Sequence, residues 1–376
     1  MVNDLEKKVG QLLMVGIPDP QITQKDLNLL NRIGVGGIIL FQKNCESIEQ
    51  ICELTNTLQK RIAPEAYKAL PCFIGIDHEG GRVQRIKEPF TVFPPMAELG
   101  KLNSAKSAFE VGYVMGKELR AVGVNLNFSP VVDVPYDMNT DGLWDRAFST
   151  DPEVVANMGS AVVRGIQKGG CIGVLKHFPG HGSVNLDSHM DLPVCSKRLE
   201  EMSERHWLPF RKGLRARAEG VMTAHIIVES IDSEKPATFS RKVIQDYLRK
   251  DLRHSKLIFS DDLEMGAVKK RYELQEAAFL AVQAGCDVVL LCHDYAQVEE
   301  VWRHLVKAFE GGVLSEARLD ETLKRIEATK EKFLLPMKYV DVELAKAIVG
   351  APSFREVARS IREGQAVESG PSTQVG

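Results

Sequence analysis

The chain has 376 residues, of which 44% are hydrophobic and 26% charged, and its formal net charge is −3 at pH 7. This balance gives no electrostatic case for binding nucleic acid or an anionic membrane. No stretch approaches the roughly 20 apolar residues that a membrane-spanning helix needs, and the N-terminal segment lacks the features of a secretory signal. The seven cysteines are scattered, without a Cys-x-x-Cys pair, which argues against disulfides and structural zinc. The composition therefore predicts a cytoplasmic protein.

Eight short apolar runs with strand character follow one another along the chain, and helical patterns follow nearly all of them. The runs are continuous and do not alternate, so both faces of the predicted sheet are buried, as in a parallel sheet. Eight β/α units predict a closed (β/α)8 TIM-type barrel. The alternative is an open doubly wound sheet, but no Gly-x-Gly-x-x-Gly follows the first run. The runs cover 12–17, 36–41, 72–76, 124–132, 172–175, 221–225, 257–260 and 287–292.

The strand and helix patterns place the barrel over 1–335 and a C-terminal extension over 336–376. An amphipathic helix is predicted over 315–333, and further helix over 341–362. After Glu363 the chain is polar and glycine-rich, which predicts a short disordered tail. The other predicted helices cover 24–33, 47–61, 104–122, 154–168, 202–218, 241–252 and 274–284.

Polar residues stand at or just after the ends of the apolar runs. In a (β/α)8 barrel these ends meet at one mouth, where the active site lies. Asp133 is also placed to cap or hydrogen-bond its own loop, Asp262 to cap the next helix, and His225 to be a satisfied rim histidine. So many charged groups at one mouth, without a phosphate loop, suit a sugar, whose hydroxyls need fixed polar partners. The group comprises Asp77, Arg82, Arg85, Asp133, Asp145, Arg146, Lys176, His177, His225, Asp261, Asp262 and His293.

The stretch 176–189, KHFPGHGSVNLDSH, follows the fifth run. Asp187 and His189 lie two residues apart, so one loop turn can place the carboxylate against the imidazole. The carboxylate would fix the tautomer and favour the protonated ring, a usable proton donor. The alternatives are a loop hydrogen bond without a catalytic role, or a metal site formed with other histidines. Pro179 argues against the metal site, because His-x-x-x-His ligands need a helix.

Six motifs occur in a fixed order: IDHEGGRVQR at 76–85, NFSPVVDV at 127–134, DRAFS at 145–149, KHFPGHG with DSH at 176–189, MTAHI at 222–226 and FSDDLEM at 259–265. Together they resemble the family 3 glycoside hydrolases. Within that family the chain is similar to the β-N-acetylglucosaminidases that act on cell-wall muropeptides. The resemblance extends over 12–333. The chain departs from many relatives at Ser183 and Val184, where those relatives carry Asp-Thr.

The resemblance implies a (β/α)8 barrel and a retaining, two-step mechanism without metal or organic cofactor. By matching position, Asp261 would be the nucleophile and His189 the general acid/base, oriented by Asp187. The residues implied to hold the terminal sugar are Asp77, Arg85, Arg146, Lys176 and His177. Longer relatives add a C-terminal α/β domain, so a single catalytic domain with a short tail is expected here.

The leading hypothesis is a monomeric cytoplasmic exo-β-N-acetylglucosaminidase. It would release terminal N-acetylglucosamine from small carbohydrates or muropeptides during peptidoglycan recycling. Its rivals are a phosphorylase of the same fold, a β-glucosidase, a catalytically silent sugar-binding barrel, and a metal-dependent hydrolase using His177, His181, His189 and Asp261. The silent barrel would be expected to lose Asp261 or His189, and this chain keeps both.

Overall fold

The computed structural model describes residues 4–139, 142–143, 145–184 and 192–373. Within these ranges, eight parallel strands close a barrel, each beside its neighbours in chain order, and β1 also pairs with β8. The predicted (β/α)8 barrel is therefore confirmed. The strands are β1 Leu13–Gly16, β2 Gly37–Leu40, β3 Phe73–Ile76, β4 Leu126–Asn127, β5 Ile172–Phe178, β6 Gly220–Thr223, β7 Leu257–Asp262 and β8 Val288–Leu291.

Helices alternate with the barrel strands and cover the outside of the barrel. Two further helical segments, Met202–His206 and Lys242–Asp251, are π-helical, with i→i+5 hydrogen bonding. The α-helices are α1 Asp4–Gly10, α2 Gln24–Ile33, α3 Ile48–Arg61, α4 Met96–Leu102, α5 Ala105–Ala121, α6 Pro152–Gly169, α7 Leu199–Glu201, α8 Leu208–Arg215, α9 Gly266–Lys269, α10 Leu274–Ala284, α11 Val298–Glu310, α12 Glu316–Leu334, α13 Val342–Ile348 and α14 Pro352–Arg362.

The helix α2 shows why some predicted bounds match the structure residue for residue. Thr23 and Asp26 form a capping box, in which the Asp26 N–H donates to Thr23 Oγ1 and the Thr23 N–H donates to Asp26 Oδ2. Gly34 ends the helix with φ 69°, a left-handed conformation that glycine adopts without strain. Both signals are local, so the sequence contains the start and the end of this helix.

The strands β4 and β5 differ from prediction in opposite directions. β4 is short because Pro130, which has no N–H, interrupts the predicted run 124–132. β5 continues past the predicted run 172–175 through Lys176 and His177 to Phe178. The Val132 N–H donates to the Lys176 carbonyl at 2.7 Å, which holds this polar continuation in place. The polar side chains at the end of β5 therefore stand on a rigid strand.

The barrel interior is a packed core. Phe128 and Phe259 meet edge to face across it, with ring centroids 5.5 Å apart. A Cβ at Gly75 would lie 2.4 Å from Met14 Cε, so a larger residue there would require the Met14 side chain to shift. Because side chains fill the interior, the loops above the strands are where a barrel of this kind binds its ligand.

The C-terminal extension packs against α3, α4 and α5. The Gly350 N–H donates to the buried carboxylate of Glu118 at 2.7 Å. For residues 364–373, the part of the tail that the structure describes, the expected disorder is corrected. Val367 is buried, and its N–H donates to Ser107 Oγ at 2.9 Å. The polar composition predicted disorder, because the residues that hold this segment, such as Ser107, lie far away in sequence and cannot be inferred from the segment itself. The division at residue 335 remains a prediction.

Two buried charged groups lie at the base of the barrel. Asp287, just before β8, accepts hydrogen bonds from the Ile258 N–H at 2.9 Å and from Arg249 at 2.5 Å. Arg325 and Thr322 donate to its other oxygen at 3.0 and 3.2 Å. On α12, Lys330 donates to Gln11 Oε1 and to the Gly36 carbonyl.

None of the helices in the described ranges combines the length and hydrophobicity needed to cross a bilayer.

Candidate active site

A cavity of about 400 Å³ opens at the carboxyl ends of the barrel strands. It contains all the predicted site residues that the structure describes, which are Asp77, Arg85, Arg146, Lys176, His177 and Asp261. Asp187 and His189 lie outside the described residues. Further lining residues are Glu79, Arg82, Val83, Gly142, Leu143, His181 and Met265. The chain thus brings together residues from four separate motifs at one mouth.

Lys176 lies at the centre of the charged wall of this cavity. Its ammonium group contacts Asp77 Oδ1 at 2.7 Å and Glu79 Oε1 at 2.6 Å. Burial by itself would lower the pKa of Lys176, but the two carboxylates raise it above its ordinary value. Lys176 is therefore a fixed cation that can donate to a ligand oxygen.

Glu79, which was not among the predicted site residues, organises this wall. Its carboxylate accepts two parallel hydrogen bonds from Arg146, both at 2.8 Å, in addition to the contact with Lys176. Burial would raise the pKa of Glu79, yet Arg146 and Lys176 lower it well below its ordinary value. The bidentate pair fixes the plane of the Arg146 guanidinium. Arg146 lies 67 residues from Glu79, so local spacing could not reveal the pair.

Two further arginines line the outer part of the cavity. Arg85 lies 3.7 Å from Asp77 Oδ2, and its guanidinium stands over the Phe41 ring at 5.8 Å from the centroid. Arg82 donates to Asp145 Oδ1 at 2.7 Å. Each of these cations contacts a carboxylate, so the wall alternates in charge. Such a wall offers a sugar both donors and acceptors at fixed positions.

Two histidines also line the cavity, His177 and His181, and the buried carboxylate of Asp133 contacts both. Asp133 Oδ2 lies 2.7 Å from His177 Nδ1, and Oδ1 accepts from the His181 N–H at 2.7 Å. The two imidazole rings meet edge to face at 6.0 Å. Burial lowers the pKa of His181 to about 4, so its ring is neutral near pH 7. Asp133 was predicted either to cap its own loop or to serve the site, and its hydrogen bonds go to His177 and His181 of the site.

Two glycines allow the 177–184 segment to approach its neighbours closely. Gly180 has φ 119°, and a Cβ there would lie 2.7 Å from His206 Cβ. A Cβ at Gly182 would lie 2.4 Å from the backbone of Val134. Any larger residue would push this segment away from the strand end that holds Asp133.

Asp261 lies at the end of β7 and lines the cavity. Its Oδ1 accepts a hydrogen bond from the Asp262 N–H at 2.8 Å. Burial would raise the pKa of Asp261, but His177, His225 and the Asp262 N–H lower it below its ordinary value. The carboxylate is therefore an anion at neutral pH, as attack on an electrophilic carbon requires.

His225 and Asp262 support the site from outside the cavity lining. The His225 Nε2–H donates to the Asp262 carbonyl, and Nδ1 meets the Thr238 hydroxyl, each at 2.8 Å. His225 is therefore the satisfied rim histidine that the sequence left open. Asp262 Oδ1 accepts from the Glu264 N–H at 3.1 Å, and Oδ2 lies 3.3 Å from His293 Nε2. The suggestion that Asp262 caps the next helix is wrong, because Met265 is the N-cap residue of α9.

The metal-site alternative would require a cluster of ligand side chains. In the described ranges, no group of three His, Cys, Asp or Glu side chains is placed to hold a metal ion. His189, a proposed ligand in that alternative, lies outside these ranges.

Comparisons with known proteins give a consistent picture. The Glycosyl hydrolase family 3 N terminal domain matches residues 4–329. A Beta-hexosaminidase of Nitrosomonas eutropha is 36% identical over 351 residues, which span 88% of this chain and 99% of that protein.

Two solved structures extend the comparison. A glycoside hydrolase family 3 beta-N-acetylglucosaminidase from Paenibacillus sp. str. FPU-7 is 32% identical, with a TM-score of 0.86 over 96% of this chain and 68% of that one. NagZ from Neisseria gonorrhoeae, in complex with N-trifluoroacetyl-D-glucosamine, is 31% identical, with a TM-score of 0.76 over 94% of this chain and 98% of that one.

Proposed function

Because the chain belongs to glycosyl hydrolase family 3, we propose that it is a retaining exo-β-N-acetylglucosaminidase that releases a terminal N-acetylglucosamine. One observation carries the proposal: the anionic Asp261 lines the same cavity as the charged wall around Lys176. The names of the relatives and the N-acylated sugar in the Neisseria gonorrhoeae structure support the choice of sugar.

The charged wall would bind the hydroxyls and the N-acetyl group of the terminal sugar. Lys176, Arg85 and Arg146 offer N–H donors, and Asp77 offers a carboxylate acceptor. These groups contact one another, so they are held in place before the sugar arrives. Such preorganisation lowers the entropy cost of placing the anomeric carbon beside Asp261.

In the first step, an Asp261 carboxylate oxygen attacks the anomeric carbon and forms a covalent ester. The bond from that carbon to the leaving oxygen breaks, and the leaving oxygen takes a proton from protonated His189. In the second step, water gives a proton to neutral His189 and attacks the same carbon. The sugar leaves with retained configuration, and Asp261 is an anion again. Asp187 would orient His189 in both steps.

The same proposal covers the setting of the reaction. We propose muropeptides as substrates, peptidoglycan recycling as the process, the cytoplasm as the location and a monomer as the working form. The division into a catalytic domain over 1–335 and an extension over 336–376 belongs to the same proposal. We also propose that the enzyme needs no metal or organic cofactor. Measuring activity in the presence of a chelator would test the metal part of this proposal.

The deciding experiment measures release of a chromogenic leaving group from a β-N-acetylglucosaminide and from the matching β-glucoside. We expect fast release from the N-acetyl substrate, without dependence on phosphate, and free sugar as product. Release from the glucoside alone would overturn the substrate and favour the β-glucosidase alternative. Release that requires phosphate and yields a sugar 1-phosphate would identify a phosphorylase. No release under either condition would favour the sugar-binding barrel.

A further inference from the structure

The buried carboxylate of Asp133 holds a network of N–H groups behind the cavity. Asp133 follows β4 and is 1% exposed. It lies 2.7 Å from His177 Nδ1 through Oδ2, and its Oδ1 accepts from the backbone N–H groups of His177 at 3.3 Å and His181 at 2.7 Å. Burial would raise the pKa of Asp133, but the neighbouring histidines lower it, so the carboxylate is ionised at neutral pH.

An ionised carboxylate can only accept hydrogen bonds, so the short contact at 2.7 Å places the proton on His177 Nδ1. In the neutral ring, Nε2 then carries a lone pair and no proton. His177 lines the cavity, and no residue in the described ranges forms a hydrogen bond with its Nε2. In the neutral form of the ring, this nitrogen is therefore an acceptor available to a ligand.

His225, two residues after the end of β6, shows the opposite arrangement at the same barrel mouth. Its Nε2–H donates to the Asp262 carbonyl, while Nδ1 meets the Thr238 hydroxyl. Both ring nitrogens of His225 are occupied by protein groups. Of these two histidines, His177 alone presents a nitrogen to the cavity.

We propose that Asp133 is a positioning residue that keeps His177 in the Nδ1–H tautomer, so that Nε2 accepts a hydrogen bond from a sugar hydroxyl; this rests on the function proposed above. The chemistry of the cavity explains why an acceptor is needed here. Lys176, Arg85 and Arg146 supply donors, and Asp77 already contacts two of these cations. A hydroxyl facing His177 donates its proton to Nε2.

The substitution Asp133→Asn tests the tautomer because it keeps the shape and changes one atom. The Asn carbonyl oxygen can still accept from the two backbone N–H groups. Its amide N–H2 then faces His177 Nδ1 and can only donate, which drives the ring proton to Nε2. The cavity would then meet a donor in place of an acceptor, as when an orienting Asp is replaced by Asn in a serine protease triad.

The first measurement is nuclear magnetic resonance of the whole chain labelled with ¹⁵N-histidine, with His177→Gln used to assign the signals. For wild type without substrate, we expect a proton-bearing Nδ1 and a proton-free Nε2. For Asp133→Asn, we expect the reverse pattern. A proton on Nε2 in neutral His177 of wild type would overturn the proposal, whether or not the variant folds. So would an unchanged Nδ1–H tautomer in a folded Asp133→Asn.

The second measurement is a double-mutant cycle on kcat/KM with Asp133→Asn and His177→Gln. We expect a loss of about 10- to 100-fold for Asp133→Asn, as is typical when the carboxylate partner of a site histidine is removed. If Asp133 acts through His177, the double variant loses little more than His177→Gln alone. Losses that multiply would show that Asp133 acts independently of this ring, and would overturn the proposal.

The matched control is Asp26→Asn, which removes the carboxylate of the α2 capping box outside the site. It should lower stability without changing the His177 signals or kcat/KM. The tautomer is read without substrate, so a wild type that cleaves no glycoside would overturn the proposed function while leaving the tautomer result to decide the assignment of Asp133.

Discussion

Two aspartates, Asp287 just before β8 and Asp261 near the end of the neighbouring strand β7, lie in contrasting surroundings. At the base, Asp287 accepts hydrogen bonds from Arg249, Arg325, Thr322 and the Ile258 N–H, so both of its oxygens are occupied. At the mouth, Asp261 accepts, among the described residues, a hydrogen bond from the Asp262 N–H alone.

The contrast separates a structural charge from a reactive one. Burial would raise the pKa of both carboxyls, and their surroundings lower both below the ordinary value. At the base, direct contacts lower the pKa of Asp287 and occupy both of its carboxylate oxygens as acceptors. At the mouth, the pKa of Asp261 is lowered largely by nearby groups such as His177, which leaves carboxylate lone pairs for a ligand. A buried anion with unfilled acceptor capacity is therefore the better marker of chemistry.

The largest effect is expected for Asp261→Asn. Asn cannot form the ester, so turnover of the β-N-acetylglucosaminide should fall by at least about 10⁴-fold. Its carbonyl can still accept from the Asp262 N–H, so the free energy of unfolding should change by less than about 1 kcal/mol. Steady-state kinetics and urea unfolding measure the two quantities. Asp261→Ala serves as a second variant because deamidation cannot restore it, and substantial turnover by that variant would exclude Asp261 as nucleophile.

The complementary change at the base is Asp287→Asn. It removes the charge that compensates the neighbouring arginines, and we expect a loss of about 3–5 kcal/mol in the free energy of unfolding. The kcat of the molecules that remain folded should not change. Asp246→Asn, at an exposed pair with Lys250, is the control and should keep the wild-type urea midpoint. A stable Asp287→Asn protein with reduced kcat would reverse the comparison.

Lys330 sharpens the comparison from the cationic side. Its ammonium contacts Gln11 and the Gly36 carbonyl, and burial lowers the pKa of Lys330 to about 8. Below pH 8 both states are protonated, and the cost of the buried charge is fully present. Between about pH 8 and 10.5 the unfolded chain binds the proton that the folded chain has lost, so stability rises with pH.

The unfolding free energy of wild type, relative to Lys330→Met, should therefore increase by about 3 kcal/mol across that range. Urea unfolding at several pH values measures the difference. The exposed Lys60→Met is the control and should follow wild type at every pH. A difference that stays constant with pH would show that Lys330 is not a strained cation in the fold.

The smallest effect is expected for Glu79→Gln at the mouth. Gln cannot neutralise Arg146 and Lys176, so both cations lose their fixed positions. We expect kcat/KM to fall by about 10- to 100-fold, the loss typical of removing a group that orients site residues. Most of the change should appear in KM, because these cations bind the sugar in the ground state too. Glu98→Gln, at an exposed pair with Lys101, is the control. Unchanged kinetics for Glu79→Gln would remove it from the site.

The parts of the fold that depend on local signals could be predicted from the sequence. The ends of α2 follow from a capping box and a glycine, and the predicted bounds 274–284 match α10. The predicted helix over 341–362 is interrupted between α13 and α14, where Gly350 has φ 66° and Pro352 begins α14. Those residues are visible in the sequence, but a break was not inferred from them.

The parts that depend on distant contacts could not be predicted in the same way. Asp77, Lys176 and Asp261 were found because each ends a predicted strand. Glu79 was not predicted as a site residue, because its partner Arg146 lies on another loop, 67 residues away. Asp133 and His177 lie 44 residues apart in sequence, and their contact forms only because the fold brings the two strand ends together.

The most direct test of the account is to trap the covalent intermediate. Wild type is incubated with an activated β-N-acetylglucosaminide whose ring carries fluorine, which slows both steps, and is then digested and analysed by mass spectrometry. We predict the mass of one sugar on the peptide that contains Asp261, and no label on the Asp261→Ala protein. A label on another carboxylate, or an unlabelled enzyme whose product has inverted configuration, would contradict the account.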